Sequence, residues 1–163
     1  MEQTDELGAF YRQVDKFAAA IETIHKDRLH CAVGCKDCCV DDITVFMIEA
    51  DNIRLHFSEL LNTEPPHAPG ACAFLDEKGA CRIYSHRPYV CRTQGLPLRW
   101  LEETESGWVE LRDICPLNDE GTPVENLPPE QCWSIGAYEQ KLAEMQMKYY
   151  NNLQRVDLRS LFI

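Results

Sequence analysis

Nowhere in the 163 residues does an apolar run approach the ~20 positions that a membrane-spanning helix needs, so no membrane association is expected. The first residues, MEQTDELGAFYRQVDKFAAA, carry acids where an export signal has a basic start and then an unbroken apolar core. A cytoplasmic protein is therefore predicted. Cations are in deficit, 16 Lys and Arg against 27 Asp and Glu, for a net charge of −11. A general nucleic-acid binder needs the opposite balance to neutralise phosphates, so no nucleic-acid partner is expected. Histidine is scarce, at five residues. His30, next to Cys31, reads as a surface or capping residue, with a metal ligand or a donor to the ligands as the alternative; His25, His56 and His67 read as helix-face or loop residues, and His86, beside Arg87, as a candidate member of the basic segment. Asp41 and Asp42 read as solvated or helix-capping acids. There is no repeat and no low-complexity tract, and no Ser-His-acid or paired-carboxylate constellation can be assigned, so the sequence names no reaction.

Cysteine, by contrast, is abundant: there are nine, four of them within HCAVGCKDCCV at Cys31, Cys35, Cys38 and Cys39. A chain of this length can bury a core without disulfide staples. Inside a cell, a cysteine-dense sequence signals metal or redox chemistry more than disulfides, and the odd total points the same way. The adjacent Cys38 and Cys39 are expected to direct their side chains apart. Cys72, Cys81, Cys91 and Cys115 form a more dispersed second group in Gly- and Pro-punctuated loops. Close pairs of thiolates from separate loops are the usual way to build a tetrahedral thiolate site, so these eight residues are candidate metal ligands. Between Lys78 and Leu101 there is no acid, yet Lys78, Arg82, Arg87, Arg92 and Arg99 fall there. Four thiolates on one divalent ion leave a net negative charge, and Arg82, Arg87 and Arg92 are candidate donors to those sulfurs. The alternative is that these arginines form a solvated face or bind an anion.

Apolar residues at Leu7, Phe10, Val14, Phe17, Ile21 and Ile24 predict a helix over about 5–29, and Ile135, Tyr138, Leu142, Met145 and Tyr149 predict another over about 130–152. The two could pack together. Between them, Ile43 to Val45 reads as extended and is followed by a helix to about Leu61, where NTEPPHAPG forbids continuation. RWLEETESGWVEL suggests a short hairpin near 98–111. The stretch from Cys31 to about Asn118 has little regular apolar pattern and is expected to need a staple such as a metal, worth ~10–16 kcal/mol in small zinc modules. The C-terminal VDLRSLFI is expected to fray rather than dock. The fold class that follows is α+β, mainly α: a small single domain over 1–163 with terminal helices around a loop-rich cysteine and metal centre.

The order C-x3-C-x2-C-C, then CAFLDEKGACRIYSHRPYVCR, then a Cys-Pro at Cys115, resembles the YkgJ-type cysteine-cluster family of zinc- or iron-chelating domains. The likeness covers about 31–118 and is most specific at Ile83, Tyr84, Arg87, Pro88, Cys91 and Arg92. It implies that Cys31, Cys35, Cys38, Cys39, Cys72, Cys81, Cys91 and Cys115 are ligands and leaves Cys132, expected in the C-terminal helix, as a buried small residue. CRTQGLPLR departs from the aromatic-proline segment of many relatives. It alters the neighbourhood, not the ligands, and any activity is to be sought around Arg87 to Leu98. Zinc is the favoured ion, with iron or a 4Fe-4S cluster as the alternative. Cys31, Cys35 and Cys38 have the spacing of radical S-adenosylmethionine enzymes, but the chain lacks the length and strand-helix alternation of their barrel. A third possibility is an intracellular metal carrier with exchangeable ligands. A thiol-redox enzyme is less favoured, because no C-x-x-C sits in a thioredoxin-like unit.

Overall fold

The computed structural model of the chain describes residues 2–32 and 34–163. The elements are helices with a few short strands, the mainly helical α+β class that the sequence predicts. Among the described residues no helix is long and apolar enough to cross a membrane. The chain divides into two compact units. One comprises Met1–Ala9, Ala32–Pro88 and Ala143–Ile163, and the other Phe10–Cys31 and Tyr89–Leu142.

Helix α1 spans Glu2–Ile24, with Glu2 and Asp5 in its first turn, where carboxylates complement the helix dipole. It stops short of the predicted residue 29. The chain tightens there into a turn, with the Arg28 and Leu29 amides both donating to the His25 carbonyl (2.9 and 3.1 Å). Leu7, Phe10, Val14 and Ala18 are buried, but Phe17 and Ile24 are exposed, so the predicted apolar stripe is covered only in its first part.

In the first unit, β1 (Thr44–Phe46) runs into α2 (Met47–His56) and α3 (Ser58–Thr63). The single helix expected here breaks at Phe57, whose φ of −129° and ψ of 29° leave the helical region while its ring packs against the core. Two prolines, Pro65 and Pro66, then prevent continuation. The core gathers Val45, Ala50, Ile53, Leu61, Phe74, Leu75, Ile83, Leu158 and Leu161. Gln146, fully buried, accepts the Ile48 amide at 3.0 Å and so satisfies one of the orphan donors at the start of α2. The C-terminus does not fray: β5 (Arg155–Asp157) pairs antiparallel with β1, Val156 opposite Val45. Leu158 and Leu161 are 2% and 3% exposed, and the Phe162 ring lies 4.9 Å from that of Phe74. Burying these apolar groups outweighs the entropy that normally frees a chain end.

In the second unit, the expected hairpin forms as β2 (Leu98–Thr104) and β3 (Gly107–Asp113), and a short β4 (Trp133–Ser134) adds parallel to β2. The two-residue loop Glu105–Ser106 leads into Gly107, whose φ of +113° requires glycine. A four-residue helix, α4 (Tyr89–Arg92), precedes the sheet, and α5 (Ile135–Tyr150) follows it. Tyr89, Trp133, Tyr138 and Phe10 form an aromatic cluster in which Trp133 and Tyr138 stack at 4.4 Å. Trp133 Nε1 donates to the Tyr89 hydroxyl at 3.0 Å, so the buried indole is satisfied. Because α5 begins at Ile135, Cys132 lies outside it, contrary to expectation; it is buried beside Ile114, Val124 and Leu127.

The terminal helices meet within each unit. In the first, Glu6 accepts from Lys148 Nζ (2.6 Å) and the Tyr149 hydroxyl (2.5 Å), and in the second the rings of Phe10 and Phe17 lie against Tyr138.

Candidate metal centre

Among the described residues, no disulfide involves any of the nine cysteines. Of the eight candidate ligands, Cys35, Cys38, Cys39, Cys72 and Cys81 belong to the first unit, and Cys31, Cys91 and Cys115 to the second.

The segment CAFLDEKGACRI folds in the first unit as a tight hairpin that brings Cys72 and Cys81 together. The Asp76 carboxylate accepts the amides of Lys78 and Ala80, both at 2.8 Å, and the Asp76 amide donates back to the Ala80 carbonyl at 2.8 Å. This Asx turn reverses the chain, Leu75 bridges to Cys81, and the Arg82 amide reaches the Phe74 carbonyl at 2.9 Å. Each sulfur then accepts a main-chain N–H from two residues downstream, Phe74 onto Cys72 and Ile83 onto Cys81. Amides aimed at a sulfur favour its anionic form.

The dense motif supplies the other side. The Cys72 amide donates to the Cys39 carbonyl at 2.9 Å, which ties the CC dipeptide to the hairpin. Cys38 and Cys39 do not point apart as expected, because their thiols share a hydrogen bond. That bond, with Cys39 as donor, holds the Cys38 thiol down at about 6 against the opposing effect of burial and of Asp37. Burial pushes the Cys72 and Cys81 thiols up, opposed in part by their amide donors and by Arg159 and Arg82 at Cys72, Arg87 and Arg82 at Cys81.

The basic segment divides accordingly. Arg82 Nη1 pairs with Glu64 at 3.1 Å, and Nη2 donates to the carbonyls of Pro65 (3.1 Å) and Ala73 (2.8 Å). Its Nε is buried with no hydrogen-bond partner, and its positive charge favours the anionic form of both Cys72 and Cys81. Arg87 stacks on the Tyr84 ring at 4.0 Å. Arg92, in the second unit, lies over Tyr11 and pairs with Asp15 at 2.7 Å, while Arg99 pairs with Glu110 at 3.0 Å on the β-hairpin.

Asp41 is neither a helix cap nor a freely solvated acid. One oxygen accepts the Gly70 amide at 2.8 Å and the other accepts Arg159 Nε at 2.7 Å. Arg159 also donates to the carbonyls of His67 (2.6 Å) and Ala71 (2.9 Å), clasping the chain just before Cys72. His25 lies in the turn after α1 and is buried, its Nε2 2.8 Å from the Gln131 carbonyl. His56 and His86 stack at 3.9 Å.

Thiolate donors, amides directed at sulfur and a surplus buried guanidinium N–H match the chemistry of a soft metal site. Cys38 with Cys39 and Cys72 with Cys81 stand as pairs; among the described residues, no group of three or more Cys, His, Asp or Glu side chains is arranged to hold an ion. Together the mainly helical fold and the thiol array define a cysteine-cluster domain. The chain belongs to the CxxCxxCC family, described as "Putative zinc- or iron-chelating domain", whose model matches residues 30–116, just over half of the chain. This chain carries one residue more between its first two cysteines than the family's name spells out. No curated protein and no solved structure matches it.

Sequence reasoning missed Arg159, because the C-terminus was expected to fray, and missed the Phe74 and Ile83 amides, because main-chain donors leave no signature of residue type. Gly79, between Cys72 and Cys81, was the hint of a turn that the sequence offered; in the structure its φ is +80°.

Proposed function

We propose that this protein binds zinc or iron through cysteine thiolates, with Cys38, Cys39, Cys72 and Cys81 sharing one ion and Cys35 beside them. The observation that carries the proposal is the pair of main-chain amides directed at the Cys72 and Cys81 sulfurs within a hairpin tied to Cys39. Cys31, Cys91 and Cys115 are the candidates for a second site in the other unit. Arg82 and Arg87 offset the negative charge of the first thiolate set, the Arg82 Nε–H being the donor in surplus. Arg92 is proposed for the same role beside Cys91. The bound ion would draw the thiol pairs into one coordination shell and displace their protons.

Elemental analysis and a visible spectrum of protein purified without oxygen or added metal test this directly. Near-stoichiometric zinc in a colourless sample supports zinc; iron with acid-labile sulfide assigns an iron-sulfur cluster instead. Cys72→Ser and Cys81→Ser are expected to lose the first ion, Cys35→Ser and Cys91→Ser to lower total metal, and Cys132→Ser to leave it unchanged. Full occupancy in both Cys72→Ser and Cys81→Ser overturns the ligand assignment. The exposure of Cys31 and the partial exposure of Cys35, Cys38 and Cys39 favour a second reading, a carrier whose ion exchanges. Release to a chelator within minutes by the folded protein supports that reading, and retention over days removes it.

A further inference from the structure

Asn118 sits on a 3-10 turn, Pro116–Asn118, just past the residues the family model matches, and is completely buried. Every polar group of this residue is engaged. Its main-chain N–H donates to the Cys115 carbonyl at 2.8 Å, and its carbonyl accepts Arg28 Nε at 2.9 Å. Its Oδ1 accepts the His30 amide at 2.8 Å. Its Nδ2 donates to the Gly95 carbonyl at 2.8 Å and to Cys31 Sγ at 3.4 Å. The side chain thus fixes the residue before Cys31 and the loop four residues after Cys91 and points an N–H at the Cys31 sulfur, while the main chain closes the turn after Cys115. A buried amide costs a few kcal/mol unless all its hydrogen bonds are met, so this bonding pattern selects one rotamer and one orientation of the donor.

We propose that Asn118 is a positioning residue for a Cys31 thiolate, orienting the sulfur for a metal ion and stabilising its charge through Nδ2–H. This rests on the reading of Cys31 as a ligand. An amide N–H is suited to the task, because it has no competing negative charge and its geometry toward sulfur is set by the Gly95 and His30 contacts of the same group. Asn118→Asp keeps the shape and the acceptor for His30 but replaces the donor with an acceptor, which repels a thiolate.

The test uses cobalt as the metal, read by the thiolate-to-cobalt charge-transfer band of the full chain, with Cys31→Ser, Asn118→Asp and wild type compared. Cys31→Ser is expected to lose one thiolate's share of the band; an unchanged band overturns the assignment of Cys31 as a ligand, whatever Asn118 does. Asn118→Asp is expected to bind cobalt about 10- to 100-fold more weakly, the usual effect of removing a hydrogen bond to a ligand. At saturating cobalt its band should shift to lower energy, since a sulfur without its N–H holds its electrons less tightly. A merely structural role would not move the band. If Cys31→Ser loses intensity while Asn118→Asp keeps both affinity and band position, the Asn118 proposal fails alone. Should Asn118→Asp not fold, the wild-type protein loaded with spin-active cadmium decides: a scalar coupling between the metal and the Asn118 side-chain amide proton supports the hydrogen bond to a bound thiolate, and its absence overturns it.

Discussion

Replacing Gly95 by alanine is the sharpest probe of the packing around Cys31. Gly95 has a φ of +91°, and a Cβ built there would overlap Cys31 Sγ and stand 3.2 Å from Asn118 Nδ2. Two costs add. An L side chain in the left-handed region costs roughly 1–2 kcal/mol, and forcing atoms into a packed site costs roughly 1–3 kcal/mol more. Gly121 supplies the control: its φ of +78° carries the first cost, and nothing lies within 4 Å of its would-be Cβ. In reduced protein with chelator present, Gly95→Ala is therefore expected to be less stable than wild type by about 2–5 kcal/mol and Gly121→Ala by about 1–2 kcal/mol. At roughly 2–4 °C per kcal/mol for a chain of this size, the two melting curves separate clearly. Adding Cys31→Ala removes the overlapping sulfur, so the double variant should recover much of the excess, a coupling of about 1–3 kcal/mol between residues in contact. Equal effects of the two glycine substitutions, or no recovery on deleting the sulfur, refute the reasoning.

Phe74 lies fully buried between the two hairpin cysteines, and Phe74→Ala is expected to cost about 3–5 kcal/mol in urea denaturation; a cost below about 1 kcal/mol contradicts its place in the core. Truncation after Asp157 removes Leu158 and Leu161 from the core and Arg159 from its clasp on Asp41, and each buried leucine alone is worth about 2–5 kcal/mol. The truncated chain should therefore lose near-ultraviolet circular dichroism, and a fraying tail would leave it unchanged. Glu6 is held below the usual carboxylate range by hydrogen bonds from Lys148 and Tyr149. Its contribution is present above the unfolded value and lost as pH falls through the lowered one, so Glu6→Gln should flatten the acid side of a stability-pH curve and leave its slope near neutrality unaltered.

What was legible in the sequence was local or chemical. The hairpin at 98–113 announces itself through two β-rich runs and Gly107, and the helices through their apolar periods. The candidate ligands are visible because cysteine is chemically unambiguous. What was hidden depends on contacts distant in sequence. The tail Leu158–Phe162 looks like a frayed end until β1 is there to pair with β5, and Gln146 looks like a polar interruption of α5 until the start of α2 is placed against it. The basic segment was legible only in part. Its arginines read as donors to sulfur, with a solvated face or a bound anion as the alternative; what the sequence hides is that Arg82, Arg92 and Arg99 also pair with Glu64, Asp15 and Glu110 from other segments.

A metal has less to hold together in the first unit than the sequence implies. Little apolar periodicity between Cys31 and Asn118 predicts a metal as the staple of that stretch. The structure supplies another staple: Phe74, Leu75 and Ile83, the residues around the two hairpin cysteines, are 0%, 2% and 1% exposed and belong to one core. Burying them fully contributes about 1.5–3 kcal/mol each before any ion arrives, so Cys72 and Cys81 are held with their amides in place in the metal-free chain. The ion then meets a preformed pair, and its binding energy goes chiefly into gathering the remaining sulfurs rather than into folding the hairpin. Metal removal should accordingly leave the amide protons of Phe74 and Ile83 protected from solvent exchange. In the small zinc modules that fold only on metal, the equivalent protons exchange freely once the ion is gone. Loss of protection here on chelation would return the metal to the role of staple.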